Sequence, residues 1–383
     1  MRLFEFEVKN LFQEYGIPAP AGWVVHTPQE AMEAFQKLKT PVALKSQVLT
    51  GGRGKAGGVK FCSTADQVLQ ETSKLLRSTI LGKTVETLLV EEKIPVKEEY
   101  YLGITFDPRA GLPILLMTPK GGMDIEEIPP SLLFSEIIEP LEGLPPFKAR
   151  ALAKKASFPP ELQARLGDIA SRLYTLFADK DVIVLEINPL VLTERGELIA
   201  ADGKMDVDED ALYRHAEWAE RPFDGTDLEG RAYRKNLRFV ELDGDIGICG
   251  NGAGMMMTAL DLVVRSGGKP ANFCEAGGAH SRAGSGRGAI EWWREAILLV
   301  LSNPRVNRLL FNLVGGNQRG DEVAMGIVEA LKDKKIPAFI RLSGTRQEEG
   351  KKILADHGYQ TYDTLEEAVQ ALAQGEGCIG HLS

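Results

Sequence analysis

The chain has 383 residues and a formal net charge of −9, with acidic and basic residues interspersed along its length. This length is too great for one hydrophobic core, so we expect two or three domains. No basic face indicates nucleic-acid binding, and the longest apolar runs are far shorter than the roughly 20 residues of a membrane-spanning helix. The N-terminus lacks the apolar segment of a signal peptide, and the four scattered cysteines suit a reducing compartment, so we expect a cytoplasmic protein.

The secondary structure of the first half follows from hydrophobic periodicity and from turn residues. The pattern predicts a helix that begins near Phe4 and ends before Gly16, and a second helix that begins with a capping box at Thr27. A long amphipathic helix is predicted over residues 162–177. The predicted strands are residues 41–44, 88–90, 100–106 and 113–118. The polar segment 216–231 is predicted to be a linker between two halves.

A glycine-rich loop is the most informative feature of the first half. A short apolar strand delivers Lys45 to this loop, which runs from Gly51 to Lys60 with the sequence GGRGKAGGVK. Because glycine lets backbone N–H groups approach a polyanion, and because lysine and arginine neutralise it, the loop favours a site for nucleotide phosphates. It is not a Walker loop, since no Gly-Lys-Ser or Gly-Lys-Thr leads into a helix. The alternative is a mobile surface loop with solvated charges.

Two further strands end in side chains that carry oxygen donors. A predicted buried strand at residues 182–185 ends at Glu186 and Asn188, and a strand at residues 198–201 ends at Asp202. An antiparallel pair would present the three side chains together, and hard oxygen ligands suit a Mg²⁺ ion that bridges nucleotide phosphates. The alternative is that the Asn-Pro and Asp-Gly pairs are ordinary turns, but this does not explain the oxygen donors on both strands.

Beyond residue 239 the chain alternates regularly between strands, glycine loops and helices. The predicted strands are residues 246–249, 271–274, 308–314 and 338–342. This alternation predicts an α/β fold with a parallel, doubly wound sheet, which binds ligands at the carboxyl ends of its strands. The loop 250–254 resembles a dinucleotide fingerprint, and Glu275 lies near the place of a ribose-binding acid. Met255 replaces the third glycine of that fingerprint, however, so NAD is disfavoured.

These motifs resemble, in the same order, those of the beta subunit of succinyl-CoA synthetase (succinate–CoA ligase), which belongs to the ATP-grasp proteins. The similarity runs over essentially the whole chain. The segments that carry it are residues 3–12, 51–60, 185–190, 242–244, 251–254, 270–273 and 341–345. The resemblance implies an N-terminal ATP-grasp domain over residues 1–230, with residues 20–95 as its first subdomain. It also implies a C-terminal, flavodoxin-like CoA-ligase domain over residues 236–383.

The resemblance implies the beta subunit of an ADP-forming acid–CoA ligase. In this family a carboxylate, CoA and ATP give acyl-CoA through an acyl phosphate and a phosphohistidine, and the alpha partner carries that histidine and most of the CoA site. None of the five histidines here matches it. Succinate, of the tricarboxylic acid cycle, is the leading acid, with malate close. The alternatives are a subunit of a citryl-CoA-forming or citrate-cleaving enzyme and a non-catalytic, nucleotide-binding regulatory subunit.

The resemblance also implies roles for individual residues. The residues that it places against the nucleotide are Lys45, Gly52, Arg53 and Gly54 at the phosphates, and Glu91, Ile94 and Glu99 at the adenosine. Asn188 and Asp202 hold Mg²⁺, and Glu186 lies beside the transferred phosphoryl group. Asn251 and Gly316 face the acid and the phosphohistidine at helix N-termini, which favour anions. For the two glutamates of segment 91–99 the alternative is a solvated run of charges. Residues 15–20 resemble the ADP-forming branch, so we expect ATP to be preferred over GTP.

Departures from the family cluster at the acid-binding end. Asn317 and Gln318 stand where succinate-specific relatives have an aliphatic pair, and the glycine triplet of those relatives reads Gly-Gly-Ala-His at residues 277–280. The loop that follows, residues 281–288, is several residues longer than usual. Because these changes add amide, imidazole and guanidinium groups, we expect an acid with a further polar group to be used at least as well as succinate.

Overall fold

The computed structural model describes residues 1–218, 225–278 and 288–375. The chain forms two compact units, residues 1–221 and residues 222–383. Among the described residues, no helix has both the length and the apolar content needed to span a bilayer.

The first unit mixes helices with antiparallel strands. Its helices are α1 (Glu5–Glu14), α2 (Pro28–Leu38), α3 (Ala65–Leu75), α4 (Pro146–Lys155) and α5 (Pro160–Asp179). Its strands are β1 (Gly22–Val25), β2 (Val42–Ser46), β3 (Val59–Cys62), β4 (Thr79–Ile80), β5 (Lys83–Thr84), β6 (Leu88–Glu92), β7 (Val96–Phe106), β8 (Pro113–Thr118), β9 (Phe134–Ile137), β10 (Val182–Thr193), β11 (Leu198–Ala200) and β12 (Gly203–Val207). Short 3₁₀ helices cover Ile125–Glu127, Pro130–Leu132, Glu209–Arg214 and Ala216–Trp218.

Two antiparallel sheets organise this unit. The first has the strand order β1-β6-β2-β3, and the second has the order β11-β10-β7-β8-β9, with β12 also paired to β10. The strands β4 and β5 form a separate pair. Each large sheet has its own apolar core, which contains Leu44 and Val90 in the first case and Phe12, Leu102 and Leu185 in the second. The two cores explain why the pattern of this half alternates between short strands and amphipathic helices.

Local sequence signals place several of these elements. Pro28 is the first residue of α2, and Thr27 Oγ1 accepts a hydrogen bond from Glu30 N at 3.2 Å, as the capping pattern predicts. β2 is buried along its whole length because β6 and β3 flank it in the sheet. This strand therefore carries Lys45 into the interior of the unit.

The second unit is built on one mostly parallel sheet. Its helices are α6 (Asp227–Tyr233), α7 (Ala253–Arg265), α8 (Ala289–Val300), α9 (Gly320–Leu331), α10 (Gln347–Asp356) and α11 (Leu365–Gln374). Its strands are β13 (Arg238–Glu241), β14 (Ile246–Gly250), β15 (Pro270–Glu275), β16 (Arg308–Gly315), β17 (Ala338–Gly344) and β18 (Thr361–Tyr362). The strand order is β13-β15-β14-β16-β17-β18, and all pairs are parallel except that of β13 with β15.

From β14 onward this order is second-first-third-fourth-fifth, which is the flavodoxin-like arrangement. The predicted doubly wound sheet is therefore confirmed. Cores lie on both faces of the sheet: Trp293 and Phe311 belong to one, and Ile248, Leu310 and Phe339 to the other. The parallel strands bring their following loops to one edge of the sheet.

Two elements of the second unit differ from expectation. The segment 216–231, whose polar composition predicts a linker, contains the start of α6. Thr226 Oγ1 accepts a hydrogen bond from Glu229 N, and Glu229 Oε2 accepts one from Thr226 N, so a capping box stabilises this short helix. β13 is an antiparallel edge strand whose four residues are mostly exposed or half-buried, so it leaves little hydrophobic pattern to detect. Residues 219–224 lie outside the described part of the chain.

Candidate functional site

Lys45 lies at the centre of a buried group of charges. Its ammonium nitrogen is 2.6 Å from Glu91 Oε1 and 2.9 Å from Glu5 Oε1, and it donates to Ala201 O at 2.7 Å. The side chain is almost fully buried. An ammonium group has three N–H bonds, so these three acceptors, from three different parts of the unit, account for all of them.

The glycine loop after β2 is open at its tip. A Cβ atom added at Gly51, Gly52 or Gly54 would meet nothing within 4 Å. Gly52 also has φ +77°, a left-handed conformation that glycine adopts without strain. The flanking residue Arg53, by contrast, has a buried side chain. The backbone of the loop is thus exposed at Gly51, Gly52 and Gly54, whereas the Arg53 side chain points into the interior of the unit.

The Arg53 guanidinium anchors this loop. Its Nη1 donates to Ser46 O at 3.1 Å, and its Nη2 donates to both carboxylate oxygens of Asp202, at 3.0 and 3.1 Å. Nη2 also forms an ion pair with Glu5. The predicted phosphate-binding cation and a predicted metal ligand are therefore brought together from positions 149 residues apart in the sequence.

Glu5 and Lys9 of α1 complete the group, and the sequence interpretation did not include them. Lys9 Nζ lies 2.7 Å from Glu5 Oε1 and 2.5 Å from Glu91 Oε2. Both residues stand on the helix face that also buries Val8 and Phe12. Charged residues four positions apart on an apolar face are the signal that could have found them, because charges are rarely buried unless they are paired.

We call Glu5, Lys9, Lys45, Arg53, Glu91 and Asp202 the charge cluster. Its three cations and three carboxylates cancel in formal charge. Burial alone would raise the pKa of Glu5, but the charges of Arg53, Lys45 and Lys9 outweigh it and hold that pKa well below its usual value. Burial alone would lower the pKa of Lys45, but Glu5 and Glu91 reverse the effect and raise it. Both groups therefore stay ionised at neutral pH.

Two of the three predicted oxygen donors, Glu186 and Asn188, lie within β10 rather than at the end of a strand, because β10 continues to Thr193; Asp202 lies in the connection between β11 and β12, which both pair with β10. β10 pairs with β12 so that Glu186 faces Lys204, and Asn188 N donates to Asp202 O at 3.3 Å. The Asn188 amide is oriented by the loop after β8: its Oδ1 accepts from Gly122 N and its Nδ2 donates to Met123 O, both at 2.9 Å.

One amide oxygen and one carboxylate are hard donors of the kind that Mg²⁺ takes from proteins when phosphates and waters supply the remaining ligands. Asn188 and Asp202 thus fit a magnesium ion in their chemistry. Within the described ranges no group of three or more His, Cys, Asp or Glu residues could hold a metal by itself. A site with few protein ligands is the kind that binds a metal together with its nucleotide.

Glu186 occupies a different environment from the charge cluster. Burial raises its pKa, while the nearby Lys204 ammonium, 3.8 Å from Oε2, and a hydrogen bond from the Tyr101 hydroxyl oppose that rise only in part. Burial and the charge of Glu186 raise the pKa of Tyr101 in turn. A carboxyl group with a raised pKa is suited to exchanging protons nearer to neutral pH.

The three residues predicted to contact the adenosine have different environments in the structure. Glu91 is buried, and both of its carboxylate oxygens are taken by lysines. The alternative of a solvated charge therefore does not describe it. Ile94 is half-buried in the connection between β6 and β7. Glu99 is exposed on β7, and its carboxylate lies against Gly122, the residue that orients Asn188.

In the second unit, hydrogen bonds join the loops at the carboxyl edge of the sheet. Asn251 Nδ2 donates to Val314 O, and Asn251 Oδ1 accepts from Val314 N, both at 2.9 Å. Thr345 Oγ1 donates to Gly316 O at 2.8 Å. The side chain of Asn251 thus fixes the loop after β14 to the end of β16, and Gly316, the next residue after that strand, is exposed.

Gln318 and Asn317 behave differently from each other. Gln318 Nε2 donates to Gly277 O at 2.8 Å, whereas its Oε1 is buried and has no hydrogen-bond partner within the described residues. Asn317 is exposed. His280 and residues 281–287, which the sequence singles out, lie outside the described residues, and Gly288 is exposed.

A buried carboxylate, Glu275, holds two of these loops and was not predicted to do so. Its Oε1 accepts hydrogen bonds from Gly252 N at 3.0 Å and from Gly277 N at 2.7 Å. This interaction replaces the ribose contact that a dinucleotide fingerprint would need from an acid at that position. The geometry therefore agrees with the argument against NAD.

Comparisons with known proteins identify both units. The sequence profile of the ATP-grasp domain matches residues 2–192, and that of the CoA-ligase family matches residues 250–374. Together with the sheets described above, these matches define an ATP-grasp protein with a CoA-ligase domain, and the predicted fold is confirmed.

Relatives of known name specify the family. The beta subunit of ADP-forming succinate–CoA ligase from Natronomonas pharaonis is 41% identical over 378 residues, which cover 97% of each chain. The same subunit from Methanothermobacter thermautotrophicus is 41% identical over 376 residues, 97% of this chain and 98% of the relative. The chain belongs to the family of beta subunits of ADP-forming succinate–CoA ligases, and the predicted enzyme class, a ligase, is confirmed.

Solved structures share this architecture. An ATP citrate lyase from Methanothrix soehngenii, in complex with citrate and coenzyme A, matches with a TM-score of 0.74 over 98% of this chain and 99% of that chain, at 20% identity. An ATP citrate lyase from Methanosaeta concilii, in complex with (3S)-citryl-CoA, matches with a TM-score of 0.69 over 93% and 92%, at 19% identity. At these identities the likeness shows the fold alone.

Proposed function

We propose that this chain binds Mg²⁺–ATP in its first unit and, with an alpha partner, forms acyl-CoA from a carboxylic acid, CoA and ATP, releasing ADP and phosphate. The observation that carries the proposal is the convergence of Lys45, Arg53, Asn188 and Asp202 beside an open glycine loop. A non-catalytic, nucleotide-binding regulatory subunit would also need these residues, but it would have no need of Glu186 beside the phosphoryl group. Membership in a family of ligase beta subunits supports the same conclusion.

In this proposal Lys45, Arg53 and Asp202 are the members of the charge cluster that meet the Mg²⁺–nucleotide complex. Lys45 and Arg53 would contact the phosphate oxygens, each in exchange for one of its present acceptors, such as Ala201 O for Lys45 and Asp202 for Arg53. The backbone N–H groups at Gly52 and Gly54 approach the phosphates closely because no side chains intervene. Asn188 and Asp202 would hold Mg²⁺, which neutralises developing charge on the phosphates when it is bound. Glu91, Ile94 and Glu99 belong to the nucleotide site as well, with Glu91 acting on the phosphate-binding lysine. We expect ATP to be preferred over GTP.

Glu186 is the proposed catalytic residue at the phosphoryl group. Its partly buried carboxyl, held between Tyr101 and Lys204, keeps a charged group near the transferred phosphoryl group without pairing it tightly to a cation. A positioned group of this kind contributes to transfer by orientation and electrostatics.

The phosphohistidine and most of the CoA site are proposed to belong to the alpha partner. The histidines within the described ranges have local roles: His26 contacts Thr87, His215 pairs with Asp181, and His357 bonds Ile353 O. None of these lies in the charge cluster. The described cysteines, Cys62, Cys249 and Cys274, are buried and unpaired with one another, an arrangement that needs no oxidising compartment and supports the proposed cytoplasmic location.

The acid is proposed to bind at the carboxyl edge of the second unit, against Asn251, Gly316, Asn317 and Gln318. Succinate remains the leading acid by family. Gln318 Oε1 is a buried acceptor that has no donor among the residues that the structure describes, and a hydroxyl on the acid would supply one. This favours a hydroxylated dicarboxylate such as malate as a substrate at least equal to succinate.

A panel of acids tests this proposal. The chain is co-expressed with its alpha partner, and ATP-dependent acyl-CoA formation is measured with succinate, malate, citrate and acetate. Turnover of succinate or malate, with ATP better than GTP, supports it. Turnover of citrate alone would instead favour the citryl-CoA-forming alternative, and equal turnover with GTP would refute the nucleotide preference.

A further inference from the structure

Glu5, on the first turn of α1, touches both phosphate-binding cations of the proposed site. Its Oε1 lies 2.9 Å from Lys45 Nζ, and its Oε2 forms an ion pair with Arg53 and accepts from Gln47 Nε2 at 3.3 Å. The Glu5 side chain is only 2% exposed, so it is too deep to meet a nucleotide directly. We infer that Glu5 is the positioning residue of the nucleotide site, which fixes Lys45 and Arg53 for the phosphates; this inference rests on the proposed function.

The glycine loop depends on this carboxylate through Arg53. Within the loop, Ala56 N bonds Gly52 O at 3.1 Å and Gly58 N bonds Arg53 O at 2.8 Å, so its backbone is organised locally around Arg53. Two carboxylates bind the Arg53 guanidinium. Glu5 is deeply buried, whereas the Asp202 side chain is 37% exposed and is proposed to bind the metal. Glu5 therefore remains to hold Arg53 when Asp202 binds magnesium.

The neighbouring Lys9 offers a way to separate positioning from stability. Lys9 pairs with Glu5 and Glu91 and, among the described contacts, does not touch the loop or Asp202. Removing Lys9 leaves two buried carboxylates with one cation fewer, which costs stability. It leaves the contacts from Glu5 to Lys45 and Arg53 in place. A purely structural Glu5 would be equivalent to Lys9, whereas a positioning Glu5 would not.

The test compares Glu5→Gln with Lys9→Met and with Glu14→Gln, an exposed position on the same helix. Mg²⁺–ADP affinity is measured by calorimetry on the full chain at a temperature where thermal melts show each variant folded. We expect Glu5→Gln to weaken affinity on the order of 10–100-fold, by analogy with the loss of a residue that orients a metal ligand. Lys9→Met should lower the melting temperature but change affinity less than threefold, and Glu14→Gln should change neither.

Hydrogen exchange gives a second readout of the same inference. Amides of residues 52–58 should exchange faster in Glu5→Gln than in the wild type and should be unchanged in Lys9→Met. If Glu5→Gln does not fold, Glu5→Asp, which keeps the charge on a shorter side chain, carries the test and should show an intermediate loss of affinity.

The outcomes separate this inference from the proposed function. A wild-type chain that binds no Mg²⁺–ADP contradicts the proposed function itself. A wild-type chain that binds it, together with a folded Glu5→Gln or Glu5→Asp variant of unchanged affinity, overturns the positioning role alone. Equal losses of affinity in the Glu5 and Lys9 variants would also overturn it, because they would show a general structural effect.

Discussion

Arg53 and Asp202 are bound to each other: Nη2 of Arg53 lies 3.0 and 3.1 Å from the two carboxylate oxygens of Asp202. The proposed roles assign one of these residues to phosphate and the other to magnesium. Binding of the metal–nucleotide complex would therefore exchange one ion pair for two new charge contacts. Such an exchange keeps both groups compensated throughout, and neither is left as an unpaired charge in a partly buried site.

Asp202→Asn should remove the metal-dependent part of nucleotide binding. The amide keeps the size of the side chain but loses the charge that Mg²⁺ favours, and we expect a loss of about 1.5–3 kcal/mol in ADP affinity with magnesium present. Calorimetry with Mg²⁺ and with EDTA measures the effect. Asp66→Asn, at an exposed position of α3, is the control. If the two variants have the same magnesium dependence, Asp202 is not a ligand.

Tyr101→Phe should shift the pH profile of the reaction. The Tyr101 hydroxyl bonds Glu186 and lowers its pKa, so its removal lets that pKa rise further. If turnover needs the ionised carboxylate, the acid limb of the kcat profile moves to higher pH, and rates above that limb are unchanged. Glu186→Gln should lower kcat by roughly 10²–10⁴-fold at pH values above that limb and should abolish the limb itself. An acid limb at the same pH in Tyr101→Phe would show that Glu186 does not control it.

Much of the fold could be predicted because its signals are local. Capping at Thr27, the buried strand before the glycine loop and the repeated strand–glycine–helix pattern each lie within a few neighbouring residues. The strand β13 and the helix α6 were not predicted, because the first is a short edge strand and the second lies in a polar segment.

The candidate site was predictable only in part, for the opposite reason. Lys45, Arg53 and Asp202 belong to sequence motifs, whereas the residues that bind their side chains do not. Lys9 and Glu91 are 82 residues apart, and Lys45 bonds a carbonyl 156 residues away. Pairing between residues so far apart in the sequence leaves no local pattern. The sequence alone therefore does not distinguish Glu5 from an ordinary exposed charge on a helix. The side-chain direction of Gln318 is hidden from the sequence in the same way.

Gln318→Met should change the choice between acids. The substitution removes the buried acceptor Oε1 at similar size, so a hydroxylated acid loses its partner; the loss of the Nε2 bond to Gly277 O affects both acids alike and does not change their ratio. We expect the malate-to-succinate ratio of kcat/KM to fall by a factor that corresponds to about 1–3 kcal/mol of transition-state stabilisation. Gln374→Met, the same substitution at an exposed position at the end of α11, is the matched control and should leave that ratio unchanged. An unchanged ratio in Gln318→Met would show that Oε1 does not face the acid.

Gly344→Ala should destabilise the second unit. Gly344 has φ +108°, and a Cβ there would lie 2.0 Å from Gly315 O on the adjacent strand. We expect a loss of at least about 1–3 kcal/mol in unfolding free energy, from backbone strain and overpacking. Gly288→Ala is the control, because a Cβ at that position meets nothing within 4 Å. Urea unfolding followed by tryptophan fluorescence measures both, and equal midpoints would contradict the packing described for this edge.

Stoichiometric product formation by the reconstituted enzyme tests the central claim most directly. The purified chain and its alpha partner are mixed with Mg²⁺–ATP, CoA and succinate or malate, and ADP, phosphate and acyl-CoA are quantified together. The account predicts equal amounts of the three products with both chains present and no acyl-CoA from either chain alone. It also predicts that Lys45→Ala, which costs about 2–5 kcal/mol in nucleotide binding, abolishes turnover at limiting ATP. Acyl-CoA formation by this chain alone, or undiminished turnover by the Lys45→Ala complex, would contradict the account.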